Sequence, residues 1–181
     1  IIAGIAEVTL GRWQHSLELL DTGVQLLHDR CAGVAWDISI AQMSAHRGLF
    51  MLGHFGELAS RSHAWLREHY GHAEIECEWG RAADPDCDVR YAEHRRTTTL
   101  AAFLDHIATG TANDVYAIAN NRNLARPELL PLLNDVTFPD GWICADRLHR
   151  GAALWIGPAG TVTSLHHDTS NILFCQVVGR K

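Results

Sequence analysis

Apolar residues recur at three- and four-residue steps in two stretches of the chain, the spacing that places them on one face of a helix. The first stretch predicts a helix that ends near Gly33. The second predicts a helix with its N-cap among Thr97–Thr99 and its end at Gly110. The two apolar faces consist of Trp13, Leu17, Leu20, Val24 and Leu27 in the first helix, and of Leu100, Phe103, Leu104 and Ile107 in the second.

Weaker signals predict two further helices and one strand. A helix is expected over Ser62–Tyr70, with Ser62 as N-cap and Gly71 at the following position, where positive φ is tolerated. Partial alternation over Ala73–Trp79 predicts a short strand. The polar, proline-containing segment 81–88 predicts a loop. A short helix is expected over Pro127–Leu133, because proline is favourable at the first helical position.

The pattern changes after Pro139. Short apolar or β-branched runs at 152–156, 161–165 and 172–178 are separated by Gly-Pro and polar turns, which is typical of strands. The chain is therefore predicted to have an α+β fold. Residues 1–140 are expected to be mainly helical, and residues 141–181 to form a β-rich module that stops in mid-sheet.

Composition narrows the class of protein. The chain has 181 residues, 47% of them hydrophobic and 20% charged, as in a soluble globular protein of one domain. Its net charge of -6 disfavours a nucleic-acid partner, because nucleic-acid-binding surfaces are basic. We expect neither a membrane span, which needs roughly 18 apolar residues, nor a signal peptide. The five cysteines contain no Cys-x-x-Cys pair, which favours reduced thiols and a cytoplasmic location.

The candidate chemistry is a His-x-Asp pair, His166 and Asp168. On a strand, residues i and i+2 point to the same face, so the imidazole and the carboxylate can bind one ion. These are two of the three groups of a 2-His-1-carboxylate iron site. His167 is the other candidate ligand, but the alternation places it on the opposite face from Asp168. Taken alone, the pair is also compatible with two polar residues at a strand end.

Four segments around this pair carry a family resemblance. They are LWIGPAGTVTSLHHD (154–168), NILFCQVVGRK (171–181), NDVYAIANN (113–121) and WLREHYGHAEIE (65–76). Together they resemble the cupin-like JmjC hydroxylases, the group that includes the asparaginyl hydroxylase of hypoxia-inducible factor. The resemblance implies a single domain over 1–181 that is incomplete at its C-terminus. In it, N-terminal helices would precede the first part of a double-stranded β-helix, the cupin or jelly-roll barrel.

The resemblance also implies roles for individual residues. His166 and Asp168 match the residues that hold Fe(II). Lys181, Thr163 and Tyr116 match the residues that bind the distal carboxylate of 2-oxoglutarate. A buried carboxylate needs a paired charge and hydrogen bonds, which a lysine ammonium and two hydroxyl groups supply.

The sequence departs from the family pattern at three points. Ser164 stands where the family usually has proline. Asn171 lies one position earlier than the family's asparagine, so it is only a candidate for a group beside the metal ligands. No histidine of this chain matches the distal iron ligand, which in the family lies a few strands further on. The chain by itself is therefore expected to bind iron poorly and not to turn over.

The function implied is that of an Fe(II)- and 2-oxoglutarate-dependent dioxygenase that hydroxylates a protein or peptide side chain. One alternative is a JmjC-type demethylase, which uses the same machinery. The other is a non-catalytic, metal-binding cupin with a regulatory role. A cupin of that kind has no need for the three-residue carboxylate site of Lys181, Thr163 and Tyr116.

Overall fold

A computed structural model of the protein describes two compact units. One unit contains Ile1–Ala64 together with the segment that begins at Leu173, and the other contains Trp65–Ile172. The described residues are 1–110, 112–136, 141, 143–144, 148, 150–169 and 172–178. No helix among them combines the length and the hydropathy that crossing a bilayer requires.

Helices alone form the N-terminal part of the first unit. The helix predicted to end near Gly33 is confirmed: it ends at Arg30, and Gly33 follows with a φ of 74°. The helices are α1 (Ile2–Thr9), α2 (Trp13–Arg30), α3 (Ala35–Leu52) and α4 (Phe55–Tyr70), the last of which extends into the second unit. The buried core of this unit consists of Val8, Leu17, Leu20, Ala41, Ala45, Leu49 and Leu58.

Helices α1 and α2 approach closely at Gly4. A Cβ atom at Gly4 would lie 2.6 Å from the Leu20 side chain, so any larger residue would force the two helices apart. The hydroxyl of Ser16 donates to the Gly4 carbonyl at 2.9 Å and satisfies a buried main-chain group at the same contact. Glycine and serine therefore set the spacing of this helix pair.

Helix α4 starts earlier than predicted. It begins at Phe55, so Ser62 lies inside the helix and is not its N-cap. The predicted end at Tyr70 is confirmed, but Gly71 is not among the residues with positive φ. A Cβ atom at Gly71 would lie 2.2 Å from the Arg67 carbonyl oxygen. Glycine is therefore required at this position for space and not for a left-handed backbone.

A small antiparallel sheet forms the centre of the second unit. The predicted strand over 73–79 is confirmed as Glu74–Trp79. It pairs with a strand on each side: Glu76 lies opposite Thr97 of one neighbouring strand, and Trp79 lies opposite Val115 of the other. The strands are β1 (Glu74–Trp79), β2 (Arg95–Thr99) and β3 (Val115–Tyr116), in the order β2-β1-β3. A one-turn helix, α5 (Tyr91–His94), precedes β2, and α6 (Leu100–Thr109) follows it.

The apolar face of α6 packs on the sheet. Thr99 is the N-cap, as predicted, because its hydroxyl accepts the Ala102 N–H at 3.2 Å. The residues before it were expected to lead into the helix, and they instead form the end of β2. The core consists of Ala73, Ile75, Cys77, Leu100, Phe103, Leu104, Ile107, Val115, Ala117 and Leu129.

Asn123 pairs with β1 through its side chain. Its Oδ1 accepts the Glu76 N–H at 2.9 Å, and its Nδ2 donates to the Glu76 carbonyl at 2.8 Å. This buried amide reproduces the two hydrogen bonds that a neighbouring strand would make. The sheet is thereby completed at a point that β3 does not reach.

The strands predicted at 152–156, 161–165 and 172–178 are not formed in the described residues, and this expectation is corrected. Ile156 alone forms a bridge, with Ala117, through main-chain hydrogen bonds of 2.9 and 3.0 Å. A run of β-branched residues favours extended backbone, but a strand also needs a second strand beside it with which to form main-chain hydrogen bonds. Several apolar side chains of these runs are exposed: Val162, Leu165, Ile172, Leu173, Phe174 and Val177.

Four of the connections in the described residues contain 3-10 helices. The α-helix predicted over Pro127–Leu133 is not formed, and a 3-10 helix stands at Leu130–Asp135. Pro131 has no main-chain N–H, so it cannot donate the hydrogen bond that an α-helix over 127–133 would need at that position. The 3-10 segments are Arg81–Ala83, Ala119–Asn121, Asn123–Ala125 and Leu130–Asp135. The α+β fold class is confirmed by this mixture of helices and a small sheet.

Candidate metal and co-substrate site

His166 and Asp168 lie close together in the second unit. The Nε2 atom of His166 is 3.9 Å from Oδ2 of Asp168, and the two side chains are 51% and 50% exposed. Neither residue lies on a strand. The irregular backbone nevertheless brings the imidazole and the carboxylate to the same side of the segment.

A main-chain hydrogen bond orients the His166 ring. Its Nδ1 atom lies 2.7 Å from the Ser164 carbonyl oxygen. A carbonyl oxygen only accepts, so Nδ1 carries the proton, and in the neutral imidazole Nε2 carries the lone pair. The lone pair is therefore on the nitrogen nearer Asp168, as a metal ligand requires.

The separation of the two donors is compatible with one metal ion between them. Bonds of roughly 2.0–2.2 Å from a histidine nitrogen and a carboxylate oxygen allow the donors to lie at most about 4.4 Å apart. The 3.9 Å between His166 and Asp168 falls within that limit. Their partial exposure leaves a path from solvent. Two adjacent positions of a 2-His-1-carboxylate set, with bonds of about 2.1 Å at right angles, require donors about 3.0 Å apart, so the two side chains would have to approach by about 1 Å to occupy them.

The described residues supply two donors and no third. Among the residues that the structure describes, no group of three or more His, Cys, Asp or Glu side chains could hold a metal ion. Two of the predicted site residues, Lys181 and Asn171, lie outside the described residues. Their proposed roles therefore stay predictions from the sequence.

Tyr116 and the residue before Thr163 both contact Arg81. The Tyr116 ring, on β3, lies 5.7 Å from Trp155 between centroids and has the Arg81 guanidinium 5.4 Å from its centroid. Arg81 Nη2 also donates to the carbonyl of Val162, the residue before Thr163, at 3.2 Å. Two residues predicted to bind the same carboxylate are therefore neighbours of one buried cation.

Arg81 belongs to an ion cluster that the sequence did not predict, in which two members are buried and the side chain of Asp88 is 33% exposed. We call Glu78, Arg81 and Asp88 the Arg81 cluster. Arg81 and Glu78 have side-chain exposures of 1% and 0%, and Arg81 Nη1 donates to Glu78 Oε2. Its Nη2 donates to Asp88 Oδ1 at 2.8 Å. Segment 81–88 was expected to be a polar, proline-containing loop, and the one available signal of the cluster was an acid three residues before an arginine.

Burial and pairing shift the pKa values of this cluster. Burial raises the pKa of Glu78, and the nearby Arg81 only partly offsets that effect. Burial opposes the charge of Arg81, but Glu78 and Asp88 raise the pKa of Arg81 overall. Partial burial likewise opposes ionisation of Asp88, yet hydrogen bonds from Ser164 and Arg81 lower the pKa of Asp88. Within the described part of the chain, Glu78 Oε1 and Arg81 Nε are buried and have no hydrogen-bond partner.

A second ionic contact, between His94 and Asp84, connects the loop that carries Asp88 with the end of β1. His94 Nε2 lies 2.8 Å from Asp84 Oδ2, and His94 Nδ1 lies 3.0 Å from the Trp79 carbonyl. Hydrogen bonds from His94 and then from Arg90 lower the pKa of Asp84 to about 2. The loop is thus tied to the end of β1 at two points.

Comparison with known proteins gives the family. Residues 52–181 match the cupin-like domain family, and the chain belongs to that family. Its curated relatives carry JmjC names, which agrees with the JmjC-type resemblance drawn from the sequence. No solved structure matches the chain.

The relatives match over part of their length. The chain is 30% identical over 83 residues to an Arabidopsis thaliana protein named lysine-specific demethylase JMJ30, covering 46% of this chain and 19% of the relative. It is 28% identical over 127 residues to the Drosophila melanogaster Jumonji C domain-containing protein 5, covering 66% and 31%. It is 32% identical over 90 residues to the Danio rerio lysine-specific demethylase 8, covering 48% and 22%. The chain therefore spans less than a third of each of these relatives.

Proposed function

We propose that the protein is an Fe(II)- and 2-oxoglutarate-dependent oxygenase of the JmjC type that acts on a side chain of a protein or peptide. Membership of the cupin-like family and the JmjC names of the relatives support the reaction class. The observation that carries the assignment to this chain is the 3.9 Å separation of His166 Nε2 and Asp168 Oδ2. The hydrogen bond from Nδ1 to Ser164 adds the required tautomer.

His166 and Asp168 would hold the iron, each through one atom. When bound, iron and 2-oxoglutarate supply the oxidation, in which dioxygen is reduced, 2-oxoglutarate is decarboxylated and a substrate C–H bond is hydroxylated. The protein's part is to present the Nε2 lone pair and the carboxylate at a fixed separation. Ser164 contributes by keeping the proton of His166 on Nδ1.

Lys181, Thr163 and Tyr116 would bind the distal carboxylate of 2-oxoglutarate. The lysine ammonium supplies the opposite charge, and the two hydroxyl groups satisfy further lone pairs of the carboxylate. Support for the last two residues is their shared neighbour, Arg81, which contacts the Tyr116 ring and the residue before Thr163.

The barrel and the domain extent are part of the same proposal. Residues 1–181 would form one JmjC domain, in which helices precede the first part of a double-stranded β-helix. The exposed apolar side chains of 161–165 and 172–178 support this, because strands of a barrel bury such residues once their neighbours are in place. Ile156, already bridged to Ala117, would begin that sheet.

Two outcomes of the reaction are distinguishable by product. Hydroxylation of a side-chain carbon leaves a stable alcohol, whereas hydroxylation of an N-methyl group leaves a hemiaminal that releases formaldehyde. The lysine-specific demethylase names of two relatives favour testing the second outcome directly. The same iron ligands and the same carboxylate-binding residues serve both reactions.

The test is anaerobic Fe(II) titration of the full-length protein, followed by a 2-oxoglutarate turnover assay. We expect one iron per chain, succinate formation with peptide substrates, and loss of both with Asp168→Ala. Lys181→Ala should weaken 2-oxoglutarate binding and leave iron binding in place. Formaldehyde release from methyl-lysine peptides would assign the demethylase outcome, and a substrate mass gain of one oxygen the hydroxylase outcome. Unchanged iron binding by Asp168→Ala would contradict the proposal.

A further inference from the structure

The segment that leads to His166 is held by the Arg81 cluster at both ends of Thr163. On one side, Arg81 Nη2 donates to the Val162 carbonyl at 3.2 Å. On the other, the Ser164 N–H donates to Asp88 Oδ2 at 3.3 Å. The main chain around Thr163 is therefore fixed by a guanidinium and a carboxylate that also bind each other.

Ser164 connects Asp88 with the imidazole of His166 through two hydrogen bonds. Asp88 receives the Ser164 N–H, and the carbonyl of Ser164 receives Nδ1 of His166 at 2.7 Å. A displacement of the main chain at Ser164 would therefore turn the His166 ring and change the distance from Nε2 to Asp168. The orientation of the ring depends on side chains far away in the sequence.

We propose that Arg81 and Asp88 are positioning residues that set the metal-binding geometry of His166 and the placement of Thr163. This inference rests on the proposed function. Neither residue has to touch the iron or the co-substrate. Both act through the main chain of 162–164, and Glu78 fixes Arg81 in turn.

The cost of burying Arg81 and Glu78, to which the partly exposed Asp88 is joined, supports a positioning role. Transferring charged groups from water is unfavourable, and a buried ion pair adds little net stability compared with well-packed apolar residues. What a buried cluster does supply is a fixed direction for each donor and acceptor. Here those directions point at two main-chain groups of the segment that carries the candidate ligand.

The test compares Asp88→Ala with Asp86→Ala, a change at an exposed aspartate of the same loop. Asp88→Ala removes the acceptor of the Ser164 N–H and leaves the buried Arg81–Glu78 pair intact, which preserves the fold. In the metal-free full-length protein, hydrogen exchange at the Ser164 amide should become faster in Asp88→Ala and stay unchanged in Asp86→Ala. Fe(II) affinity, measured anaerobically, should fall about tenfold or more in Asp88→Ala alone.

Asp168→Ala is measured alongside and separates the two proposals. If Asp168→Ala binds iron like the wild type, the proposed function fails and the positioning role fails with it. If Asp168→Ala loses iron while Asp88→Ala matches Asp86→Ala in affinity and in Ser164 exchange, only the positioning role is overturned. A lower melting temperature of Asp88→Ala with unchanged Ser164 exchange and iron affinity would also overturn it, since the cluster would then serve stability alone.

Discussion

The imidazole of His94 binds the carboxylate of Asp84, with 2.8 Å between Nε2 and Oδ2. Its Nδ1 atom is held by the Trp79 carbonyl at 3.0 Å. A carboxylate and a carbonyl both act only as acceptors, so this arrangement favours the imidazolium form of His94, in which each ring nitrogen carries a proton. The Asp84 hydrogen bond, followed by the Trp79 hydrogen bond, raises the pKa of His94.

This contact predicts a pH-dependent stability. The folded-state pKa of His94 lies above its unfolded value of about 6.5, so the stabilisation is fully present below about pH 6.5 and declines as pH rises through the folded value. The difference in unfolding free energy between wild type and His94→Gln should therefore shrink from about pH 6 to about pH 9. Urea unfolding across that range measures it, with His72→Gln, an exposed histidine of the same unit, as control. A difference that grew with pH would contradict the assignment.

The two adjacent histidines are predicted to behave differently toward iron. His166→Ala removes the nitrogen that lies 3.9 Å from Asp168, so Fe(II) affinity of the full-length protein should fall about tenfold or more. His167→Ala is the matched control and should bind iron like the wild type. Anaerobic titration with elemental analysis of the bound metal checks both. A loss in His167→Ala alone would mean that His167 is the ligand, and equal losses in the two variants would mean that both histidines contribute.

Thr99 is predicted to stabilise α6 through its hydroxyl. Thr99→Ala removes the acceptor of the Ala102 N–H and should destabilise the protein by about 1 kcal/mol. Thr99→Ser keeps the oxygen and should retain most of the stability. Thr97→Ala, in the same strand, should change it by only a few tenths of a kcal/mol through strand propensity. Chemical unfolding of the three variants would show whether the cap or the strand carries the effect.

Arg61 is predicted to stabilise the first unit through its planar shape as well as its charge. Its two terminal nitrogens lie 2.6 and 2.7 Å from the two carboxylate oxygens of Asp21, and Glu57 is also paired with it at 2.6 Å. Lysine keeps the charge but cannot make the two-point contact. Because the group is partly exposed, Arg61→Lys should cost about 1 kcal/mol. Arg47→Lys, at an exposed arginine of the same unit, is the control for thermal unfolding, and an equal effect there would refute the argument.

Local signals predicted α2, α6 and the first strand, but not α1 or α3. The three- and four-residue spacing found α2 and the apolar face of α6, and alternation found β1. Strand β2 was missed because Arg95–Thr99 is polar and exposed, and only its pairing with β1 makes it a strand. Pairing is a contact between distant residues, which composition and spacing do not contain.

In the candidate site too, local spacing predicted one part, and contacts between residues distant in sequence determine the other. Proximity of His166 and Asp168 follows from their separation in sequence, and the structure places their donor atoms 3.9 Å apart. The Arg81 cluster could not be found from spacing, because Arg81 and its partner Val162 lie 81 residues apart in the sequence. Segment 81–88 has the charge and the proline of a loop, and only Arg81 and Cys87 in it are buried, which depends on the packing around them. The roles of Lys181 and Asn171 stay predictions.

The side-chain amide of Asn123 occupies the main-chain groups of β1 at Glu76, to which a strand of another protein molecule could otherwise bind. An exposed row of main-chain donors and acceptors is a template on which other chains can aggregate. At Glu76 both main-chain groups are already engaged by Asn123, so an incoming peptide would first have to displace two hydrogen bonds of ordinary length. A single residue from a turn thus protects the middle of β1 from intermolecular pairing, and Asn123→Ala would be expected to open that edge.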